Sequence, residues 1–151
     1  MTFIRLFLAT ACLLAAHATL AVGPYTINTA GDEVTDTGTG LIWRRCSEGQ
    51  SWSASTCTGT PATYTHEAAL VRASSQVGWR LPNAKELASI ADKSRSNPAI
   101  DTAVFPVTPS NFFWTATPYV GSPASAWDVY FSVVVVGYGY RSNSNHVRLV
   151  R

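Results

Sequence analysis

The chain has 151 residues, 46% hydrophobic and 13% charged, with a net charge of +2. It is long enough for one domain with one core, too apolar for a disordered chain, and too weakly charged to suggest a nucleic-acid partner. Five tryptophans and six tyrosines are many for this length, and large aromatics build binding surfaces as well as cores.

The first stretch, "MTFIRLFLATACLLAAHATLA", has one cation, Arg5, an apolar run over 6–16 and small residues at Ala16, Ala18 and Ala21. This is the layout of a secretory signal peptide over 1–21, cut after Ala18 or Ala21. The run is too short for a membrane span of about 20 residues. Cys12 follows only a short apolar run, with more leucine after it, and does not read as a lipid attachment site. A single domain is expected over 22–151, with no transmembrane segment in the mature chain.

Cleavage leaves two cysteines, Cys46 and Cys57. An even pair in an exported chain reads as one disulfide, and closing so short a loop contributes about 3 kcal/mol in the chain-entropy picture. A metal site needs more ligands: the remaining histidines, His66 and His146, stand apart, and there is no Cys-x-x-Cys or His-x-x-x-His. No cofactor or metal is expected.

Along the mature chain, turn signals at Ala30-Gly31-Asp32 and Asp36-Thr37-Gly38-Thr39-Gly40 separate β-prone pieces at 25–28, 33–35 and 41–44, a meander. Residues 47–63 are rich in Ser, Thr, Gly and Ala and read as a loop pinned by the disulfide. Thr65 is an N-cap for "HEAALVRASSQV", with Ala69, Leu70, Ala73 and Val77 on the inner face. His66, in the first turn, reads as a solvated or capping residue. In "GWRLPN", Pro82 disfavours helix at Leu81, and Asn83 with Glu86 forms a capping box. The spacing predicts a second helix over 84–93, with Leu87, Ile90 and Ala91 inward. A long loop over 105–125 holds one short strand, "FFWTAT". In "AWDVYFSV", Trp127, Val129, Phe131 and Val133 alternate with Asp128, Tyr130 and Ser132, predicting a strand with the second set outward. "HVRLVR" closes the chain as a last strand. This order predicts an α+β fold with two short helices packed on an antiparallel sheet.

Enzyme motifs are sparse. There is no Gly-x-Ser-x-Gly and no His-Glu-x-x-His, and the Gly-x-Gly pairs at 38–40 and 137–139 do not continue into a phosphate loop. The carboxylates Glu67, Glu86, Asp92, Asp101 and Asp128 are spread along the chain, and no pair stands out.

Five blocks, "VTDTGTGLIW" (34–43), "GWRLPNAKEL" (78–87), "FFWTAT" (112–117), "AWDVYF" (126–131) and "VRLVR" (147–151), resemble the Lcl C-terminal domain family of bacterial exported proteins. The resemblance implies a C-type-lectin-like fold, in the branch shared with formylglycine-generating enzymes. Terminal strands would pair, and a loop-rich half would present a ligand surface. Trp43, Trp79, Trp114 and Trp127 would be framework, with Arg80 pairing or stacking beside Trp79. The Glu-Pro-Asn loop of calcium-dependent sugar-binding lectins is absent, and so is a match to the catalytic cysteines of the formylglycine-generating branch.

The tail also resembles segments diversified by a retroelement, in which misread adenines vary Asn codons. Residues 128–146 lack Lys, Glu, Gln, Met and Trp, which such variation cannot reach. Tyr, Ser, Gly and Asn are also the residues paratopes favour. The predicted contact face is Asp128, Tyr130, Ser132, Tyr138, Tyr140, Ser142, Asn143, Ser144, Asn145 and His146, with Trp127, Val129 and Phe131 behind it. The expected function is ligand binding, as an adhesin or receptor-like domain in the periplasm, on the cell surface or outside the cell. The partner would be a protein or glycan on a cell surface. The alternatives are an exported enzyme acting on cell-wall or glycan material, or a structural envelope protein.

Overall fold

The computed structural model describes residues 24–151, so the signal peptide expected over 1–21 lies outside the described residues. Three short strands, β1 (Tyr25–Ile27), β2 (Glu33–Asp36) and β3 (Ile42–Arg44), form the antiparallel meander expected from the turn signals. Asp36 shapes the second turn by accepting from the Gly38 and Thr39 amides and the Thr39 hydroxyl.

Residues 47–63 are more ordered than a pinned loop. They hold a hairpin of β4 (Ser51–Ser53) and β5 (Thr56–Thr58), and β6 (Thr63–Tyr64) begins at their end. Ala54 makes the hairpin's tight turn with φ 54°, a conformation that its small-residue composition does not advertise. Cys46 and Cys57 are joined, as expected, and tie the hairpin to β3. Gly49 is required beside it: its φ is +88°, and a Cβ there would lie 2.6 Å from the Ala62 nitrogen.

Helix α1 spans His66–Ser74, capped by Thr65. Its buried stripe is His66, Ala69 and Ala73. Leu70 and Val77 are exposed, contrary to expectation, because the stripe at i, i+3 and i+7 starts from His66 and the helix ends before Val77. The expected capping box opens α2, Ala84–Ser89. The helix stops short of the predicted 93, because Ala91 forms a bridge with Ile100 and the Asp92 amide donates to the Ala99 carbonyl.

The larger sheet has the order β6-β10-β7-β8-β9, where β7 is Phe112–Pro118, β8 Ser125–Tyr130, β9 Val135–Tyr140 and β10 Asn145–His146. Strand β10 runs parallel to β7, and the other pairings are antiparallel. Both faces of this sheet are covered over part of its area. Phe113, Val129 and Phe131 join Val34, Trp43 and Leu87 in one core, under α2 and the meander. Trp114 and Ala126 join Ala69, Ala73 and Trp79 in a second, under α1.

The tail expected to form a last strand acts as a clasp. Ile42 and Arg151 exchange two backbone hydrogen bonds at 2.9 Å, and Arg80 and Val150 exchange two at 3.0 Å. Residues 149–151 therefore lie between β3 and Arg80, joining the start of the fold to its end. Arg148 is fully buried, with its guanidinium donating to the carbonyls of Arg44 and Arg45 and the hydroxyls of Ser47 and Thr108. It lies 4.9 Å over the Phe105 ring. Burial pushes its pKa down to about 9. Trp79 is flanked by Arg44 and Arg151, each 4.7 Å from its ring, while Arg80 pairs with both oxygens of Glu86.

Candidate functional site: an aromatic ledge on the β8–β9 hairpin

The hairpin keeps six register pairs without a bulge, from Ser125↔Tyr140 to Tyr130↔Val135. The period of two puts Trp127, Tyr138 and Tyr140 on the face that carries Val129 in the first core. The core ends at Val129, and Trp127 lies beyond it. Tyr119, from the loop after β7, completes a cluster there. It stacks on Tyr138 with centroids 3.8 Å apart, meets Trp127 edge-on at 5.5 Å, and Trp127 meets Tyr138 at 6.2 Å. Tyr138 and Tyr140 are 56% and 66% exposed. Beside them opens a cavity of about 450 Å³, with the Ser122, Ser125 and Asn143 side chains as polar lining. Trp127 is thus partly exposed and on the front of the ledge, not behind the contact face as the alternation predicts.

The ten predicted contact residues divide. Tyr138, Tyr140, Ser142, Asn143 and Ser144 are exposed at this end of the sheet. Tyr130 lies on the opposite face, stacked on Phe112 at 4.3 Å. Ser132 sits in the hairpin turn, where its hydroxyl donates to Asn97. Val133 beside it is 48% exposed, although the alternation pointed it inward, because the strand has already ended at Tyr130.

Asp128, Asn145 and His146 are buried and offer no contact surface. Asp128 is the cross-strand partner of Trp114 and of Gly137, on the face covered by the second core. Its carboxylate accepts from Asn145 Nδ2 at 3.3 Å. Burial pushes its pKa up to about 6, and the Asn145 bond opposes that shift. The niche exists because the neighbouring strand β9 has glycine there: a Cβ at Gly139 would lie 2.9 Å from Asp128 Oδ2.

His146 is held between β6 and β7, its Nδ1 donating to the Ala62 carbonyl at 3.0 Å. His66 is buried too, not solvated. Its Nε2 faces the Thr115 carbonyl at 2.9 Å, so that nitrogen carries the proton and Nδ1 accepts from Arg141 at 3.4 Å. Burial holds both histidines below the usual range.

The carboxylates do not gather. Glu86 is taken by Arg80, Asp92 and Asp101 share Arg95, and Glu67 is exposed. Among the described residues, no group of three or more His, Cys, Asp or Glu could hold a metal ion, and no helix is long and apolar enough to cross a membrane.

Tyr119 is the ledge residue that the sequence reading missed. It sits in "TPYVGSP", where nothing local marks it for the sheet.

Fold and site together describe an α+β domain with two covered sheet faces, a disulfide-tied hairpin and an aromatic ledge at one end. The family model of the Lcl C-terminal domain matches residues 32–151, and the chain belongs to that family. Among the curated proteins and the solved structures, none matches it.

Proposed function

We propose that this chain is a ligand-recognition domain of an exported protein, with a C-type-lectin-like fold, and that it binds through the ledge of Tyr119, Trp127, Tyr138 and Tyr140. The observation that carries this reading is the contact of three rings outside both cores, with Tyr138 more than half exposed. A soluble domain gains little stability from such a cluster, whereas a ligand gains contact area from rings that two χ angles already fix. Ser122, Ser125 and Asn143 add hydrogen-bonding groups beside the apolar surface. The Cys46–Cys57 bond fits an oxidising compartment, as in the periplasm, at the cell surface or outside the cell. The ligand class is a protein or a glycan displayed on a cell surface.

The retroelement reading is confined to exposed positions: 133, 135, 136, 138, 140 and 142–144. A near-copy of this coding segment, differing mainly at adenines and lying beside a reverse transcriptase gene, is its test. A genome without one sinks it and leaves ligand recognition standing.

The binding experiment applies the purified protein to arrays of defined oligosaccharides and of cell-surface protein fragments. The wild type should label a reproducible subset, and Y138A/Y140A should lose it while unfolding at the same denaturant concentration within about 0.5 kcal/mol. A double variant that keeps the same pattern overturns the ledge as the site.

A further inference from the structure

Strand β9, "VVGYGY", is an outer strand of the larger sheet, and among the described residues nothing pairs with its outer edge. Natural sheets blunt such edges with lysine, proline, bulges or very short strands, because an open edge is a template for another chain. β9 has none of these: it is six residues long, uncharged, free of proline and unbulged against β8. Val135, Val136, Tyr138 and Tyr140 are 42–66% exposed along it.

The backbone phase of the edge is set. The Ser125 carbonyl accepts from the Tyr119 amide and the Ser125 amide donates to Ser122, so Ser125↔Tyr140 is a pair that does not hydrogen-bond across the hairpin. The Arg141 amide, one residue on, donates to the Ala124 carbonyl. The alternation therefore turns the N–H and C=O groups of Val136 and Tyr138 outward. The Tyr140 carbonyl is already taken by the Asn143 amide.

We propose that this edge pairs with the same edge of a second copy, antiparallel about a twofold axis at Gly137. Gly137 then faces its own counterpart, and Val136 of each copy pairs with Tyr138 of the other. The pairing uses four outward-facing groups of each copy, the N–H and C=O of Val136 and Tyr138. It places a β-branched residue opposite an aromatic one twice, a favourable cross-strand combination. It also brings no charge opposite a like charge, because β9 has none. An interface of this kind is isologous: it consumes both edges, and assembly stops at two. The joined sheet has ten strands, with the two Tyr138 ledges on one face. The proposal needs only the strand edge and does not depend on the ledge binding a ligand.

Sedimentation velocity of the purified protein from about 1 μM to about 1 mM tests it over the affinity range expected of a small interface. The wild type should move from monomer to dimer across that range. V136K, which puts a charge at the edge, and V136P, which removes an outward N–H that β8 does not use, should stay monomeric with unchanged near-UV circular dichroism. G137C, in the non-hydrogen-bonded pair at the axis where the two Cα atoms come closest, should crosslink under mild oxidation. A wild type that is monomeric throughout overturns the proposal, as does a dimer that survives both V136K and V136P, or assembly that continues past two. A dimer that does not crosslink through G137C overturns the register.

Discussion

The Asp128 carboxylate occupies the space that a side chain at Gly139 would fill. A Cβ at 139 would lie 2.9 Å from Asp128 Oδ2, 3.4 Å from Asn143 Nδ2 and 3.5 Å from the Trp114 ring. At Gly137 the nearest approach is 3.4 Å, to Asp128 Oδ1. G139A should therefore destabilise the domain by about 1–2 kcal/mol, while G137A, in ordinary contact, should stay within about 0.5 kcal/mol of wild type. Urea denaturation of the two variants separates them. Equal effects would mean that the carboxylate moves aside freely.

Asp128 also gives the fold a pH signature. Its pKa is raised from 3.8 to about 6, so between those values the folded state keeps a proton that the unfolded chain has released. Its contribution is fully present below pH 4 and is lost as pH rises through 6. His66 and His146, both lowered from 6.5, act oppositely: their contribution is present above pH 6.5 and lost as pH falls through the folded values. Comparison with D128N isolates the carboxylate. D128N should be more stable than wild type by about 1–2 kcal/mol at pH 7.5, with the gap closing toward pH 4. Chemical denaturation at both ends of that range checks it, and a gap independent of pH would rule out the titration.

Local chemistry was the most legible part of this chain. Thr65 capping α1 and the Asn83–Glu86 box opening α2 depend on residues three apart, and both are present. Cys46 and Cys57 pair as expected. The errors on β8 have their physical cause in the two cores. Alternation in "AWDVYF" implies core against solvent, but the sheet is covered on both faces, so Asp128 leads into the second core and Trp127 emerges beyond the first. Asn145 and His146 looked like surface loop because their neighbours in β6 and β7 lie far away in sequence, at Tyr64, Thr63 and Phe113. Tyr119 meets Tyr138 only through the fold.

Tryptophan position gives a third prediction. Trp114 is fully buried and donates from Nε1 to the Tyr64 carbonyl at 2.8 Å, whereas Trp127 touches Tyr119 and Tyr138 near solvent. W114A should cost about 3–5 kcal/mol, and W127A clearly less, about 1–2 kcal/mol. W127F should also lower the fraction of fluorescence that acrylamide quenches. Equal costs for W114A and W127A would return Trp127 to the core.

Arg148 supplies a fourth. It is buried without a carboxylate among its contacts and is held by two carbonyls and two hydroxyls. R148M keeps the length of the side chain but strands those acceptors, and should destabilise by at least about 2 kcal/mol. R148K should fail similarly, since one ammonium cannot reproduce the guanidinium fork. Denaturation with m-values checks both, and a stable R148K would show that charge alone suffices.

The clasp formed by residues 149–151 sets a timetable for folding. β3 awaits a neighbour that is synthesised more than a hundred positions later, and Arg80 awaits the same residues. A ribosome that has made the meander, both helices and most of the larger sheet still holds a chain that cannot close. These contacts form only after residues 149–151 have been made, so the clasp is among the last parts of the fold to close during synthesis.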